Sequence, residues 1–186
     1  MTDTYSLTHY VDDLRAIVAE TSDEAEIIRR VGPLAQRVVA DKSWLQPKYY
    51  EADEEQGFAV HLLHEEPDHS LAVILVNWLP GRGTPPHDHG TWAVVAGIEG
   101  VEHNVRYKRI DDRSRPDYAE LAVKKDFAAN EGELVCIRTG GIHKVTNETD
   151  RMTLSLHTYG MHINHTNRSQ FNLDTNERKE FIVRVE

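Results

Sequence analysis

Cysteine is almost absent from this 186-residue sequence. The single thiol, Cys136, has no partner for an intramolecular disulfide and lies in an apolar run typical of a buried side chain. No apolar run is long enough to span a bilayer, and Met1-Thr2-Asp3-Thr4 lacks the basic start and apolar core of a signal peptide. We therefore expect a cytoplasmic protein with no membrane partner.

Positive charge is also scarce. Lysine and arginine total 21 against 31 aspartates and glutamates, a formal net charge of −10. Nucleic-acid binding requires clustered basic residues, so we expect no nucleic-acid partner. The sequence contains no repeat or low-complexity tract, and its length suits one domain over residues 1–186. We expect helices over 1–45, β-structure and a C-terminal segment over 46–186, and a monomer or homo-oligomer.

The N-terminal region has the apolar spacing of two amphipathic helices. Apolar residues recur every three or four positions from Leu7 to Val18, and again from Ile27 to Val39. Ser22 or Asp23 is the expected N-cap of the second helix. Gly32-Pro33 predicts a break or kink in it, because proline lacks the backbone N–H. Neither segment has a catalytic pattern, and both are expected to cover the sheet that follows.

From about Tyr49 the pattern changes to short apolar or alternating runs bounded by turn residues. Because no helices alternate with them, an antiparallel sandwich or barrel is favoured over a parallel sheet. The charged segment 111–117 is predicted to be a surface loop. The seven predicted strands occupy 57–64, 71–78, 92–98, 101–108, 132–137, 144–146 and 152–158.

Three histidines form a candidate metal site. His87 and His89 lie two residues apart after a turn, so on an extended strand their rings project from one face. His143 follows Gly140-Gly141 at a second turn-to-strand junction and is placed to complete a triad. A His-x-His pair alone is a weak signal, and the alternative is two histidines without a ligand. Neutral imidazole is nevertheless the commonest protein ligand of first-row metals.

A second polar pattern occurs at Ser155, His157 and Tyr159. Their spacing places all three side chains on one face of a strand, where they can form a hydrogen-bonded chain that ends at the metal. The alternative is a polar ladder on an exposed strand face.

Two segments resemble the paired motifs of the cupin superfamily. Over roughly residues 57–159, the matching positions are Gly81, His87, His89, Ala93 and Gly100, and then Gly132, Arg138, Gly140, His143 and Asn147. The resemblance implies a mainly β double-stranded β-helix barrel with N-terminal helices, and one metal ion held by the three histidines. Ala93 stands where a typical cupin has a glutamate ligand, and Arg138 stands where it has a proline. A site without that carboxylate keeps the metal charge uncompensated and favours an anionic substrate. Ferrous iron is the favoured ion, and zinc, which also accepts three histidines, is the alternative.

With the Ser-His-Tyr pattern added, the chain resembles the cysteine dioxygenase-like thiol dioxygenases, nearest the bacterial 3-mercaptopropionate dioxygenase type. This resemblance implies a ferrous iron (Fe²⁺) enzyme that adds both atoms of O₂ to a small thiol, such as 3-mercaptopropionate or cysteine, and produces a sulfinate. Tyr159, His157 and Ser155 would be the catalytic residues. No cysteine–tyrosine crosslink is expected, since Ala93 occupies the position of the cysteine.

Three further residues are candidate substrate contacts. Arg168, nine residues after Tyr159, matches an arginine that binds the carboxylate in the bacterial type; a surface arginine is the alternative. The early strand lacks the arginine or glutamine used by other members, so His61 is a possible second polar contact. Trp92 is a possible pocket wall, or else a core aromatic. His162 and His165 are expected in a polar loop.

Two other functions remain open from the sequence. The first is a metal-dependent cupin dioxygenase acting on a non-thiol anion or an aromatic thiol, which the altered early strand favours. The second is a non-catalytic ligand-binding cupin, although the acidic chain has no recognisable DNA-binding module.

Overall fold

The computed structural model describes residues 5–186. Its two N-terminal helices are α1, Leu7–Glu20, and α2, Glu24–Ala40. Asp23 caps α2 by accepting hydrogen bonds from the backbone N–H groups of Ala25 and Glu26, as predicted. Within the described residues, no helix is long and apolar enough to cross a membrane.

Helix α2 continues through Pro33, so the predicted break is wrong. The buried face of the helix, which includes Val31 and Val38, packs in the main core, and this packing outweighs the cost of one missing hydrogen bond. Gly32 also lies within the helix, facing the sheet. A Cβ there would lie 2.9 Å from Leu134 Cδ1, so a larger residue would require the end of the Leu134 side chain to move.

Ten strands follow the helices, and all their pairings are antiparallel. They are β1 (Phe58–Glu65), β2 (Ala72–Trp78), β3 (Ala93–Glu99), β4 (Glu102–Arg109), β5 (Leu121–Ala129), β6 (Leu134–Ile137), β7 (Ile142–Thr146), β8 (Thr153–Tyr159), β9 (Ser169–Phe171) and β10 (Arg178–Glu180). The seven predicted strands are all present. The sequence reading missed β5 because this strand pairs only with β4 and its exposed centre, Lys124 to Asp126, carries charges instead of an apolar pattern.

The strands form a five-stranded sheet, β1-β2-β8-β3-β6, a three-stranded sheet, β5-β4-β7, and the pair β10-β9. One apolar cluster, with Val73, Leu75 and Leu156, lies between the large sheet and the helices. A second cluster, with Ile74, Val76 and Val145, includes residues from both larger sheets. The fold class is as predicted: mainly β, antiparallel, with two N-terminal helices.

Candidate metal centre and its cavity

The backbone pairs the two histidine segments directly. His87 N–H donates to the His143 carbonyl at 2.8 Å, and His143 N–H donates back to the His87 carbonyl at 2.9 Å. His87 is on an extended segment with isolated bridges instead of the predicted continuous strand. The structure brings the three predicted ligands together in the protein interior. His89 Nε2 lies 3.1 Å from His87 Nε2 and 3.3 Å from His143 Nε2.

The outer hydrogen bonds fix the tautomers of two of these rings. His87 Nδ1 lies 3.0 Å from the Pro85 carbonyl, which can only accept, so Nδ1 carries the hydrogen and Nε2 keeps its lone pair. His143 Nδ1 lies 3.3 Å from Asn104 Oδ1, which also accepts, so this ring too carries its hydrogen on Nδ1. Burial lowers the pKa of His87 to about 4 and holds the pKa values of His89 and His143 well below 6.5.

The donor set fits a metal ion. Two Nε2 lone pairs, those of His87 and His143, point at His89 Nε2, whose single N–H could satisfy only one of them. With metal–nitrogen bonds of about 2.0–2.1 Å, imidazole nitrogens are about 2.9–3.4 Å apart in octahedral or tetrahedral geometry. The two nitrogen–nitrogen distances of 3.1 and 3.3 Å lie in this range. The three histidines can therefore hold one divalent metal ion.

Strand β8 carries the hydrogen-bonded chain beside this centre. Ser155 Oγ lies 2.9 Å from His157 Nε2, and His157 Nδ1 lies 2.8 Å from the Tyr159 hydroxyl. All three side chains are buried, so the alternative of an exposed polar ladder is wrong. Burial lowers the pKa of His157 to about 3 and raises that of Tyr159, so both groups are neutral near pH 7. The ring of Tyr159 lies 5.1 Å from that of His89, centroid to centroid.

A cavity of about 40 Å³ adjoins the histidines and Tyr159. Arg168 lines it and is 3% exposed, which excludes the alternative of a surface arginine. Its guanidinium carbon lies 4.1 Å from the centre of the Phe181 ring, whereas Nε and Nη2 have no hydrogen-bond partner among the described residues. Burial lowers its pKa to about 10. The remaining lining is mostly apolar: Phe58, Val60, Val76, Trp78, Thr84, Val145, His157, Ile163, Phe181 and Val183.

The other two predicted substrate contacts lie outside the cavity. Val60 lines it, so the next residue, His61, projects from the opposite face of β1 and packs edge-on against Tyr49, 5.4 Å between centroids. Trp92 is buried in the cluster between the large sheet and the helices. The structure therefore corrects both assignments, and Trp92 is a core aromatic.

The polar loop predicted around His162 and His165 is a short 3-10 turn after β8. Its two histidines differ in exposure, since His162 is buried while His165 is exposed and stacks on His69 at 3.5 Å. The turn also supplies Ile163 to the cavity. The loop prediction holds for His165 alone.

Sequence reasoning missed the contribution of the C-terminal segment. Phe181 and Val183 close one side of the cavity, and Glu186 exchanges backbone hydrogen bonds with Val60 and Leu62 of β1. The available signal was the apolar run Phe181-Ile182-Val183, with Val185 after Arg184. Because this stretch is short and follows the charged residues of β10, it did not stand out as an element of the barrel.

No protein-family model matches the chain. Among solved structures, similarity extends to oxalate oxidase in complex with the substrate analogue glycolate, at 19% identity and a TM-score of 0.46 over 65% of this chain and 61% of that one. A Klebsiella pneumoniae protein with a double-stranded β-helix domain matches at 11% identity and 0.47, over 70% and 97% of the two chains. The Cupin_2 domain of an XRE family transcriptional regulator from Enterobacter cloacae matches at 16% and 0.40, over 56% and 96%.

The match spans less than two thirds of oxalate oxidase. At identities under 25% and TM-scores under 0.5, neither the activity nor the substrate of these proteins carries over to this chain.

Proposed function

We propose that this chain is a non-haem iron(II) thiol dioxygenase that oxidises a small mercapto-carboxylate to its sulfinate. Both atoms of O₂ become bonded to the thiolate sulfur, which loses the four electrons that the oxygen atoms gain. No further co-substrate is consumed. The proposal depends on one observation: a single cavity is lined by three neutral imidazoles, the Tyr159 hydroxyl and the Arg168 guanidinium.

The histidines determine what the centre can bind. Ferrous iron, when bound, would supply open positions for a thiolate and the electrons that activate O₂, whereas zinc would supply only the first. His87, His89 and His143 contribute no negative charge, so a thiolate is favoured over a neutral ligand. Direct contact with the cation also lowers the pKa of a thiol.

The environment of Arg168 indicates that the substrate carries a carboxylate group. Its guanidinium is buried with two nitrogen atoms unpartnered, and a carboxylate can accept from both in a bidentate pair. The residues that line the cavity include no aspartate or glutamate, so the ammonium group of cysteine would find no acidic partner. This favours 3-mercaptopropionate over cysteine.

The Tyr159 hydroxyl is the proposed hydrogen-bond donor to the substrate during the reaction. Burial keeps its hydroxyl protonated, and His157 holds the ring orientation through a 2.8 Å hydrogen bond. The hydroxyl can therefore donate to the substrate when His157 Nδ1 carries the ring hydrogen, because its own hydrogen is then free. The surrounding side chains are mostly apolar, and the low local dielectric strengthens each polar contact.

Two alternatives receive support from specific features. Arg168 and a metal dication would also bind a small non-thiol carboxylate, as a substrate or as a ligand of a non-catalytic cupin. An aromatic thiol would contact the apolar lining of the cavity but would leave the Arg168 guanidinium without a carboxylate partner.

The test is anaerobic loading with ferrous iron, followed by oxygen uptake with 3-mercaptopropionate, cysteine, mercaptosuccinate, cysteamine and an aromatic thiol. We expect the fastest uptake with 3-mercaptopropionate, together with one sulfinate formed per O₂ consumed. Stoichiometric iron without uptake for any thiol would refute the proposal and favour the non-thiol alternatives. Binding of a carboxylate without turnover would identify a ligand-binding cupin.

A further inference from the structure

A buried carboxyl group lies behind the Ser155–His157–Tyr159 chain. Glu102 is the first residue of β4, in the three-stranded sheet, and is 6% exposed. Thr153 Oγ1 on β8 donates to its Oε1 at 3.3 Å. Ser155 lies two residues further along the same face of β8, and its hydroxyl is near enough to the carboxyl group to lower the pKa of Glu102. Among the described residues no lysine, arginine or histidine forms a salt bridge with Glu102. Ser155 therefore stands between Glu102 and the His157–Tyr159 pair.

The environment of this carboxyl group permits both protonation states near neutral pH. Burial raises the pKa of Glu102 to about 7, opposed only in part by the hydroxyls of Ser155 and Thr153. Beyond Ser155, the titratable groups on β8 are His157 and Tyr159, both neutral over this range. On β5 its register partner is Ala129. On β4 itself, the next side chain, His103, pairs with Asp126 and Glu148 at the surface.

The charged carboxylate accepts hydrogen bonds only. Ser155 then donates to Glu102, and its oxygen accepts from His157 Nε2–H. A neutral imidazole has one donor and one acceptor, so His157 Nδ1 accepts from the Tyr159 hydroxyl. In this state the phenolic hydrogen points at His157 and away from the cavity.

The protonated carboxyl group can donate a hydrogen bond, and the donor and acceptor then change places in each hydrogen bond of the chain. Ser155 accepts from Glu102 and donates to His157 Nε2, and His157 Nδ1–H donates to the Tyr159 oxygen. The phenolic hydrogen is then free to point into the cavity. We propose that Glu102 is a positioning residue that sets the direction of this hydrogen-bonded chain and thereby the group to which Tyr159 donates.

The first test needs no activity. We would record ¹⁵N imidazole spectra of the metal-free protein between pH 5.5 and 8.5 and assign His157 with His157→Asn. We expect the Nδ1–H tautomer at low pH and the Nε2–H tautomer at high pH, with a midpoint near 7. In the Glu102→Gln variant the side chain keeps its shape but can no longer ionise. His157 should therefore keep one tautomer from pH 5.5 to pH 8.5. Glu99→Gln, three residues earlier and bonded to Tyr50 instead, is the matched control and should retain the transition.

Ser155→Ala provides a second variant if Glu102→Gln folds poorly, because it disconnects His157 while Glu102 stays in place. It should also abolish the transition. A single tautomer across the pH range in the parent protein, or an unchanged transition in either variant, would overturn the inference.

The consequence for turnover depends on the proposed function. If Tyr159 acts by donating into the cavity, kcat should fall about tenfold from pH 6 to pH 8.5, the effect of one hydrogen bond, toward the level of Tyr159→Phe. The Glu102→Gln variant should not show this fall in kcat between pH 6 and pH 8.5. If the His157 tautomer changes with pH but kcat does not, the donor function assigned to Tyr159 is contradicted. The control of hydrogen-bond direction by Glu102 would still be supported.

Discussion

Arg168→Met should change substrate affinity and protein stability in opposite directions. The Arg168 guanidinium is 3% exposed, lies 4.1 Å from the centre of the Phe181 ring, and has two nitrogen atoms without partners in residues 5–186. A buried charge in this state costs folding free energy, and a methionine of similar length removes that cost. The same charge is the only cation among the residues that line the cavity, so a substrate carboxylate depends on it.

The two magnitudes follow from the burial. Removing one partner of a buried charge pair costs about 2–5 kcal/mol in binding, so KM for 3-mercaptopropionate should rise about 30-fold or more. Arg168 forms no salt bridge within residues 5–186, so replacing its buried charge by an apolar side chain should stabilise the protein. We take about 1–4 kcal/mol, the range found when buried ion pairs are replaced by apolar groups, as the upper scale of this gain. Oxygen uptake on iron-loaded protein measures the first quantity, and urea denaturation of the metal-free protein measures the second.

Cysteamine and Arg106→Met are the controls. Cysteamine has a thiol and no carboxylate, so its KM should not rise in Arg168→Met. Arg106 also lies over an aromatic ring, that of Phe127 at 5.7 Å, but it donates to the Cys136 carbonyl and lies outside this cavity. Arg106→Met should lower stability and leave KM unchanged. Equal KM increases for both thiols, or a loss of stability in Arg168→Met, would refute the reasoning.

Three further predictions concern the histidines and Tyr159. His89→Ala should abolish stoichiometric metal binding measured by metal analysis, whereas the surface variant His103→Ala should retain it; metal retained by His89→Ala would exclude the triad. Tyr159→Phe should keep its metal and lose about tenfold in kcat, and full activity would contradict a donor function. Because burial lowers the pKa of His157 to about 3, the folded state binds fewer protons than the unfolded state. The metal-free protein should therefore lose stability as the pH falls below 6.5, by up to about 4–5 kcal/mol from this group, and denaturation of His157→Asn should show a smaller loss.

Local rules predicted the secondary structure well where one residue type decides the outcome. Asp23 caps α2 because its carboxylate reaches two backbone N–H groups, a contact within three residues. Pro33 is the contrary case, since packing against distant strands kept the helix intact despite a strong local signal for a break.

The side chains of the site were harder to predict. Alternation along a strand shows which side chains share a face, but it does not show which face points into the cavity. Ser155, His157 and Tyr159 had to share a face, and they do. Whether a given face of β1 meets the cavity depends on its partner strand, and this placed Val60 inside and His61 outside. Glu102 gave no sequence signal at all, since its position beside Ser155 results from the approach of β4 to β8.

The charges of the site argue for a dianionic substrate. A metal dication at the three neutral histidines and the Arg168 guanidinium together carry three positive charges, and no carboxylate lines the cavity. In an apolar enclosure these charges repel one another strongly. A substrate that brings a thiolate to the metal and a carboxylate to Arg168 compensates two of them, whereas cysteamine or a neutral thiol compensates at most one. The order of affinities for 3-mercaptopropionate, cysteine and cysteamine should therefore follow the net negative charge of the thiolate form, and should weaken only modestly with added salt because the pairs are buried.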